Sequence, residues 1–265
     1  MSAGVRVWAQ IAATGLMAAL AWASGFADRA PPAPTIYERA VANAGDTERL
    51  RHVLQKAAAG ESVTIVAFGE SITAGAHAAA GKGYVDLVRA WLTERFPKGQ
   101  VAVINAGVGG STTERGLARY EQDAAKHRPD LLILEFAVND YLRPNEDRLA
   151  ELVRRIHHTA QPGKEPAVLL LEVMGVTGES AQPSHANVAR TYRLPMLSMH
   201  DALWPEIESG RLDAASLFQN EWHPNTAGHA AIADLVTHYL ESVASDGREG
   251  HGCGTSAGSA QSPAR

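Results

Sequence analysis

Short continuous apolar runs alternate along this chain with apolar stripes spaced three and four residues apart. Val63–Phe68, Val101–Ile104, Leu131–Phe136, Ala167–Val173 and Met196–Ser198 are the runs, and each predicts a strand. Only Glu135 breaks the third of them. The stripes predict helices. Leu50, Val53, Leu54, Ala57 and Ala58 form the first, with Asp46 as its N-cap and Gly60 as its end. Tyr84, Leu87, Val88, Trp91 and Leu92 form the next, stopped by Pro97. Thr113–Lys126 is helical but less regular. Leu149, Leu152, Val153 and Ile156 mark another helix, followed by Ser184–Tyr192 and the short Ala202–Ser209. Ile232, Leu235, Val236, Tyr239, Leu240 and Val243 line one face of the last. Strands alternating with helices imply parallel βαβ units. Strands apolar throughout imply a sheet covered on both faces. The expected fold is α/β: a single doubly wound, flavodoxin-like parallel sheet of about five strands with helices on both faces.

The two ends depart from this pattern. Residues 1–27 read as a signal peptide, with Arg6 in the n-region, an apolar stretch Ile11–Ala21, and the small-x-small form Ala21–Trp22–Ala23. The apolar stretch is short for a membrane span, so cleavage and export are expected, to a periplasm or the medium, with no stable membrane insertion afterwards. Residues 28–45, with Pro31, Pro32 and Pro34, read as a linker. The catalytic-type domain is expected over 46–245, and 246–265 reads as a disordered Gly/Ser/Ala tail.

Composition narrows the function classes. The chain has 265 residues, 45% of them hydrophobic, enough for one sizeable core. A net charge of -5 gives no reason to expect nucleic acid as a partner. The single cysteine, Cys253, forms no intrachain disulfide, and no Cys/His spacing suggests a metal. No cofactor is expected.

The candidate chemistry begins where Val63–Phe68 runs into Gly69–Glu70–Ser71, with Gly75 shortly after. A serine at the carboxyl end of a central strand sits where open α/β sheets place ligands. The same position suits a plain helix N-cap. Three later segments change the balance: Asn105–Gly110, Ala137–Asp140 and Asn220–Pro224. With Gly69–Thr73, in this order and spacing, the chain resembles the SGNH hydrolases, also called GDSL esterases and lipases, from about Leu50 to Leu240. The resemblance implies Ser71 as nucleophile, His223 as general base, and an oxyanion hole from the backbone N–H groups of Ser71 and Gly110 with the side-chain amide of Asn139. Histidine's near-neutral pKa suits the base role. Asp140 is expected to order its loop. His229 is the nearest rival to His223, and His77, His185 and His200 are expected to be structural or surface residues.

Three departures stand out. The family usually has Asp at Glu70 and Gly at Ala137. It also places its third triad member, an Asp, where Asn220 stands. An Asn oxygen accepts the imidazole N–H but brings no charge, and its amide can flip. Asn220, a backbone carbonyl or Glu221 then orients His223, or activity is impaired. The expected function is an exported serine esterase acting on short acyl esters, acetyl first, on a small-molecule or carbohydrate substrate. The alternatives are a polysaccharide O-acyltransferase using the same residues and a non-catalytic polysaccharide-binding protein.

Overall fold

The computed structural model describes residues 33–143, 146–161 and 163–249. The chain divides after Pro34, and the sheet and its helices all belong to the unit starting at Thr35. Six strands make one sheet: β1 (Val41–Asn43), β2 (Ser62–Gly69), β3 (Gln100–Gly107), β4 (Leu131–Glu135), β5 (Ala167–Glu172) and β6 (Met196–Ser198). Their order is β1-β6-β5-β4-β2-β3. β2 to β6 run parallel, and β1 is antiparallel to β6. The five parallel strands are the five predicted runs, in flavodoxin-like order.

The helices are α1 (Ile36–Ala40), α2 (Glu48–Ala59), α3 (Tyr84–Arg95), α4 (Thr113–Asp123), α5 (Ala137–Leu142), α6 (Glu146–Thr159), α7 (Gln182–Tyr192), α8 (Met199–Glu208) and α9 (Thr226–Glu249). They cover both faces. Ile65, Ala67, Ile133, Leu169 and Leu171 join a core with α2, α3, α8 and α9. Val66, Phe68, Leu132, Leu134, Val168 and Leu170 join a second core with α4, α6 and α7. Alternate side chains enter opposite cores, so the central strands are apolar along most of their length.

The structure corrects the linker. From Thr35 the segment is ordered. Thr35 and Glu38 form a capping box that starts α1, and β1 then pairs with β6 through Val41 and Leu197. A five-residue helix and a three-residue strand are too short to show a period. The N-cap of α2 is Thr47, and Asp46 acts one residue earlier, its Oδ1 accepting the Glu48 N–H at 3.0 Å. α9 continues to Glu249, past the expected boundary at 245. The expected signal peptide and the tail beyond Glu249 lie outside the described residues.

β3 lies on one side of β2 and β4 on the other. The chain therefore leaves these strands in different directions, which makes their carboxyl ends the switch point of the sheet.

Candidate active site

β2 ends at Gly69, where only glycine fits. A Cβ there would lie 2.2 Å from Thr73 Oγ1 and 2.4 Å from the Glu135 carbonyl oxygen. The chain turns sharply at this point, with Ala74 N–H donating to Glu70 O at 3.0 Å and Ala76 N–H to Ser71 O at 2.9 Å. Ser71 stands on this turn. Its Oγ is 2.9 Å from His223 Nε2.

His223 belongs to a short loop before α9. Gln219 N–H donates to His223 O at 2.9 Å, and Phe218 bridges to Pro224. Asn225 then starts α9, its Oδ1 accepting Ala227 N–H at 2.8 Å and Gly228 N–H at 3.1 Å. Asn220 Oδ1 accepts the backbone N–H groups of Trp222 and His223 at 3.0 and 2.9 Å, and lies 3.1 Å from His223 Nδ1. The two backbone donors fix the amide, because a flipped Asn would turn its own NH₂ against them. The oxygen is thus set to accept the Nδ1 proton, which leaves the Nε2 lone pair facing Ser71. Asn220 Oδ1 is therefore the side-chain oxygen that meets His223 Nδ1. The Glu221 carbonyl is engaged elsewhere, accepting Val176 N–H at 2.8 Å. Burial holds the His223 pKa below the ordinary histidine value, and the neighbouring His77 and His229 lower it further.

The expected oxyanion donors come from three segments: the turn after β2, the turn after β3, and α5. Among the described residues, the backbone N–H groups of Ser71 and Gly110 meet no acceptor. Gly110 has φ +66° and open space where a Cβ would stand, and the neighbouring Gly109 would bring a Cβ 4.0 Å from Ser71 Cβ. Asn139 sits in α5. Its backbone N–H donates to Glu70 Oε2 at 3.0 Å, and its side-chain amide meets Ser111 O at 3.4 Å.

The other histidines divide. His229 is buried with both nitrogens engaged, Nδ1 with Tyr84 N–H at 3.3 Å and Nε2 with Ala76 O at 2.9 Å. It is a structural residue and not a second base. His185 is buried between Glu172 Oε1 at 2.9 Å and Asp140 Oδ2 at 3.3 Å. Asp140 also accepts the Thr113 N–H at 2.9 Å and the Thr113 hydroxyl, so it ties α5 to α4, as its loop-ordering role requires.

Several neighbours escaped sequence reasoning. His77 packs its ring 5.0 Å from that of His223, with φ +65°. Trp222 and Tyr141 meet at 6.0 Å beside the pair. Arg119 donates to Gly69 O at 2.7 Å and Ala106 O at 2.8 Å, clasping the ends of β2 and β3. His77 and Arg119 carried no motif. Trp222 and Tyr141 had a usable signal, since each is aromatic within two residues of a candidate site residue.

Several known proteins are similar to this chain. An arylesterase of Vibrio mimicus is 39% identical over 88 residues, 33% of this chain and 42% of its own. An acetylxylan esterase of Geobacillus stearothermophilus is 23% identical over 66% of this chain and 88% of its own. Among solved structures, a two-domain esterase active on acetylated mannans is 35% identical, with TM-score 0.74, over 86% of this chain. The chain spans only 60% of that esterase. The model of the GDSL-like lipase/acylhydrolase family matches residues 67–231, which include all four motif blocks, and the chain belongs to that family.

Proposed function

We propose that the protein is an exported serine esterase that removes short acyl groups, acetyl first among them, from carbohydrate. The observation that carries this reading is the line from Ser71 Oγ through the His223 ring to Asn220 Oδ1, at 2.9 and 3.1 Å. Ser71 Oγ attacks the ester carbonyl and its proton passes to His223 Nε2. The oxyanion is met by the N–H groups of Ser71 and Gly110 and the amide of Asn139. His223 then gives the proton to the departing alcohol. Water, deprotonated by the same nitrogen, frees the acid and restores Ser71.

The carbohydrate assignment has two supports. Two of the similar proteins are an esterase active on acetylated mannans and an acetylxylan esterase. At the site itself, Tyr141 and Leu142 are 41% and 53% exposed, and Trp222 adjoins Tyr141. Aromatic faces beside a reacting centre suit the C–H faces of a sugar ring. Export rests on the Arg6, Ile11–Ala21 and Ala21–Trp22–Ala23 pattern. Among the described residues no helix is long and apolar enough to cross a membrane.

A fluorophosphonate probe should label Ser71 in the purified protein and leave Ser71→Ala unlabelled. Acetate should be released from acetylated oligosaccharides and from p-nitrophenyl acetate, with little turnover of long-chain esters. An unlabelled wild type would favour a binding protein without catalysis. Transfer of acetyl to added sugar in preference to water would make it an acyltransferase. Mass spectrometry of protein from the native host should find a new N-terminus between Ala23 and Asp28, and an intact Met1 in a soluble cytoplasmic fraction would refute export.

A further inference from the structure

A row of rings leads away from the proposed centre along the carboxyl edge of the sheet, and the chemistry above uses only its near end. Tyr141 follows β4, in α5, and its ring lies 6.0 Å from that of Trp222. Trp222 rests on the loop after β5, where a Cβ on Gly175 would come within 3.0 Å of its six-membered ring. Val176 N–H, next in that loop, donates to Glu221 O at 2.8 Å. The loop then turns, closed by Gly178 N–H on Gly175 O at 3.0 Å. At the far end of the turn, a Cβ on Gly178 would meet the six-membered ring of Trp204 at 3.0 Å. Both glycines thus make room for an indole. Trp204 stands in α8, directly after β6, and stacks on His200 with centroids 5.5 Å apart. β4, β5 and β6 are successive neighbours in the sheet, so the row follows strand order away from β2 and Ser71.

These rings are not core. Trp204, Trp222 and His200 are half-buried, and Tyr141 is 41% exposed. Neither indole N–H has a hydrogen-bond partner among the described residues, and neither is buried. A buried tryptophan normally finds an acceptor for its N–H, whereas a half-buried ring with a wet N–H suits a partner that is apolar on its face and polar at its rim. A pyranose has that pattern, with C–H bonds on its faces and hydroxyls around its edge. Asp140, Glu179, Asp201 and Glu221 adjoin these residues in the chain, and no lysine or arginine does. An acidic polysaccharide would be repelled, which leaves an uncharged one.

We propose that Trp204 and His200, across Gly178, form a second sugar subsite, and that with Trp222 and Tyr141 they hold a neutral polysaccharide chain along the sheet edge while one of its acetyl esters reaches Ser71. The inference rests on the carbohydrate reading above and deepens it from a lone acetylated sugar to a chain. Neighbouring strands are about 4.8 Å apart, so β4 to β6 spans about 10 Å, the length of a short oligosaccharide. Trp204 and His200 stand apart from the reacting bond and set specificity. Their contacts are alike in the ground state and the transition state, so they act on KM more than on kcat.

The test compares KM for acetylated mannose and acetylated mannopentaose. Wild type should favour the longer substrate by about tenfold or more. Trp204→Ala should lose most of that preference, and Trp204→Phe, which keeps a ring over Gly178, should retain more of it. Equal KM values for the two substrates in wild type, or an undiminished preference in Trp204→Ala, overturn the proposal and leave the esterase reading intact. A second measurement depends neither on turnover nor on the folding of the alanine variant. Mannopentaose without acetyl groups is titrated into wild type, and the indole N–H resonances are followed by NMR. Those of Trp204 and Trp222, assigned with Trp204→Phe and Trp222→Phe, should shift together, while that of Trp91, packed on Phe96, should stay in place. A Trp204 signal that does not move at millimolar sugar overturns the proposal. A wild type whose Trp204 and Trp222 signals move and which hydrolyses no ester would sink the esterase reading and leave the subsite standing.

Discussion

The two sides of the site are built from different materials. The donor side stands on the turns after β2, β3 and β4, and charge backs it. Glu70, Glu135, Asp140, Glu172 and His185 are all buried there. The base side is the loop before α9, and the group that holds His223 there is uncharged. Asn220 holds His223 with an amide oxygen, among His77, His229 and Trp222. Buried charge persists only where several partners meet it. Asp140 has Thr113 and His185, and Glu70 has the backbone N–H groups of Val138 and Asn139. Asn220 Oδ1 meets three N–H groups without charge. The donor side therefore takes its precision from a buried ionic layer, and the base side takes its precision from hydrogen-bond direction alone.

The sharpest way to break this comparison is to remove the reacting groups. Ser71→Ala and His223→Ala should each lower kcat on a short ester by about 10⁴-fold or more, and the double variant should lose no more. Additive losses would mean that the two do not act as one unit. Next comes the ionic layer. His185→Leu leaves Asp140 and Glu172 buried without their cation, and should cost about 3–5 kcal/mol in urea unfolding at neutral pH. Burial alone would depress His185, but Glu172 and Asp140 outweigh it and raise its pKa to about 10. A raised histidine stabilises fully below its ordinary 6.5, and that stabilisation is lost as pH rises towards about 10. The gap between wild type and His185→Leu should therefore close on the alkaline side. A gap that stays constant with pH would make His185 a packing residue. Asn139→Ala should then lower kcat by about 10²–10³ with little change in KM. A loss confined to KM would make Asn139 a substrate-positioning residue.

Most of the fold was legible because buried parallel strands write themselves as apolar runs. β1 and α1 were not, since three- and five-residue elements carry no period, and they read as linker. α5 was missed for the same reason, although it carries Asn139. The candidate site was legible as four blocks, and the structure brings Ser71, His223 and Asn220 within hydrogen-bond reach in turn. Glu70 reads in the sequence as a tolerable longer Asp, and Glu135 as an interruption of a strand. Neither residue alone signals that both are fully buried. The pairing of β2 with β4 sets Gly69 opposite Glu135, and the Glu70 N–H donates to the Glu135 carbonyl.

The smallest expected effect addresses the neutral side directly. Asn220→Asp adds one charge next to His223 and changes little else. The aspartate would accept the same Trp222, His223 and ring N–H groups, so donors already in place meet the new charge. In a well-studied serine protease, replacing the triad Asp by Asn costs about 10⁴ in kcat, chiefly through the wrong tautomer. That loss does not apply to this chain, because two backbone donors already hold the Asn220 oxygen towards the ring. What remains is the attraction between a carboxylate and the imidazolium formed as Ser71 loses its proton. A gain of about tenfold in kcat at neutral pH is expected, with KM little changed. The same charge should raise the His223 pKa from its depressed position. A general base must be neutral, so the acidic limb of kcat/KM should move to higher pH, and the advantage over wild type should shrink as pH falls. Measuring kcat and kcat/KM across pH for wild type, Asn220→Asp and Glu221→Gln separates the outcomes. A neutral Asn220→Asp with a collapsed Glu221→Gln would move the third role to Glu221. A tenfold gain with an unmoved acidic limb would show that the new carboxylate acts on the loop and not on the imidazole.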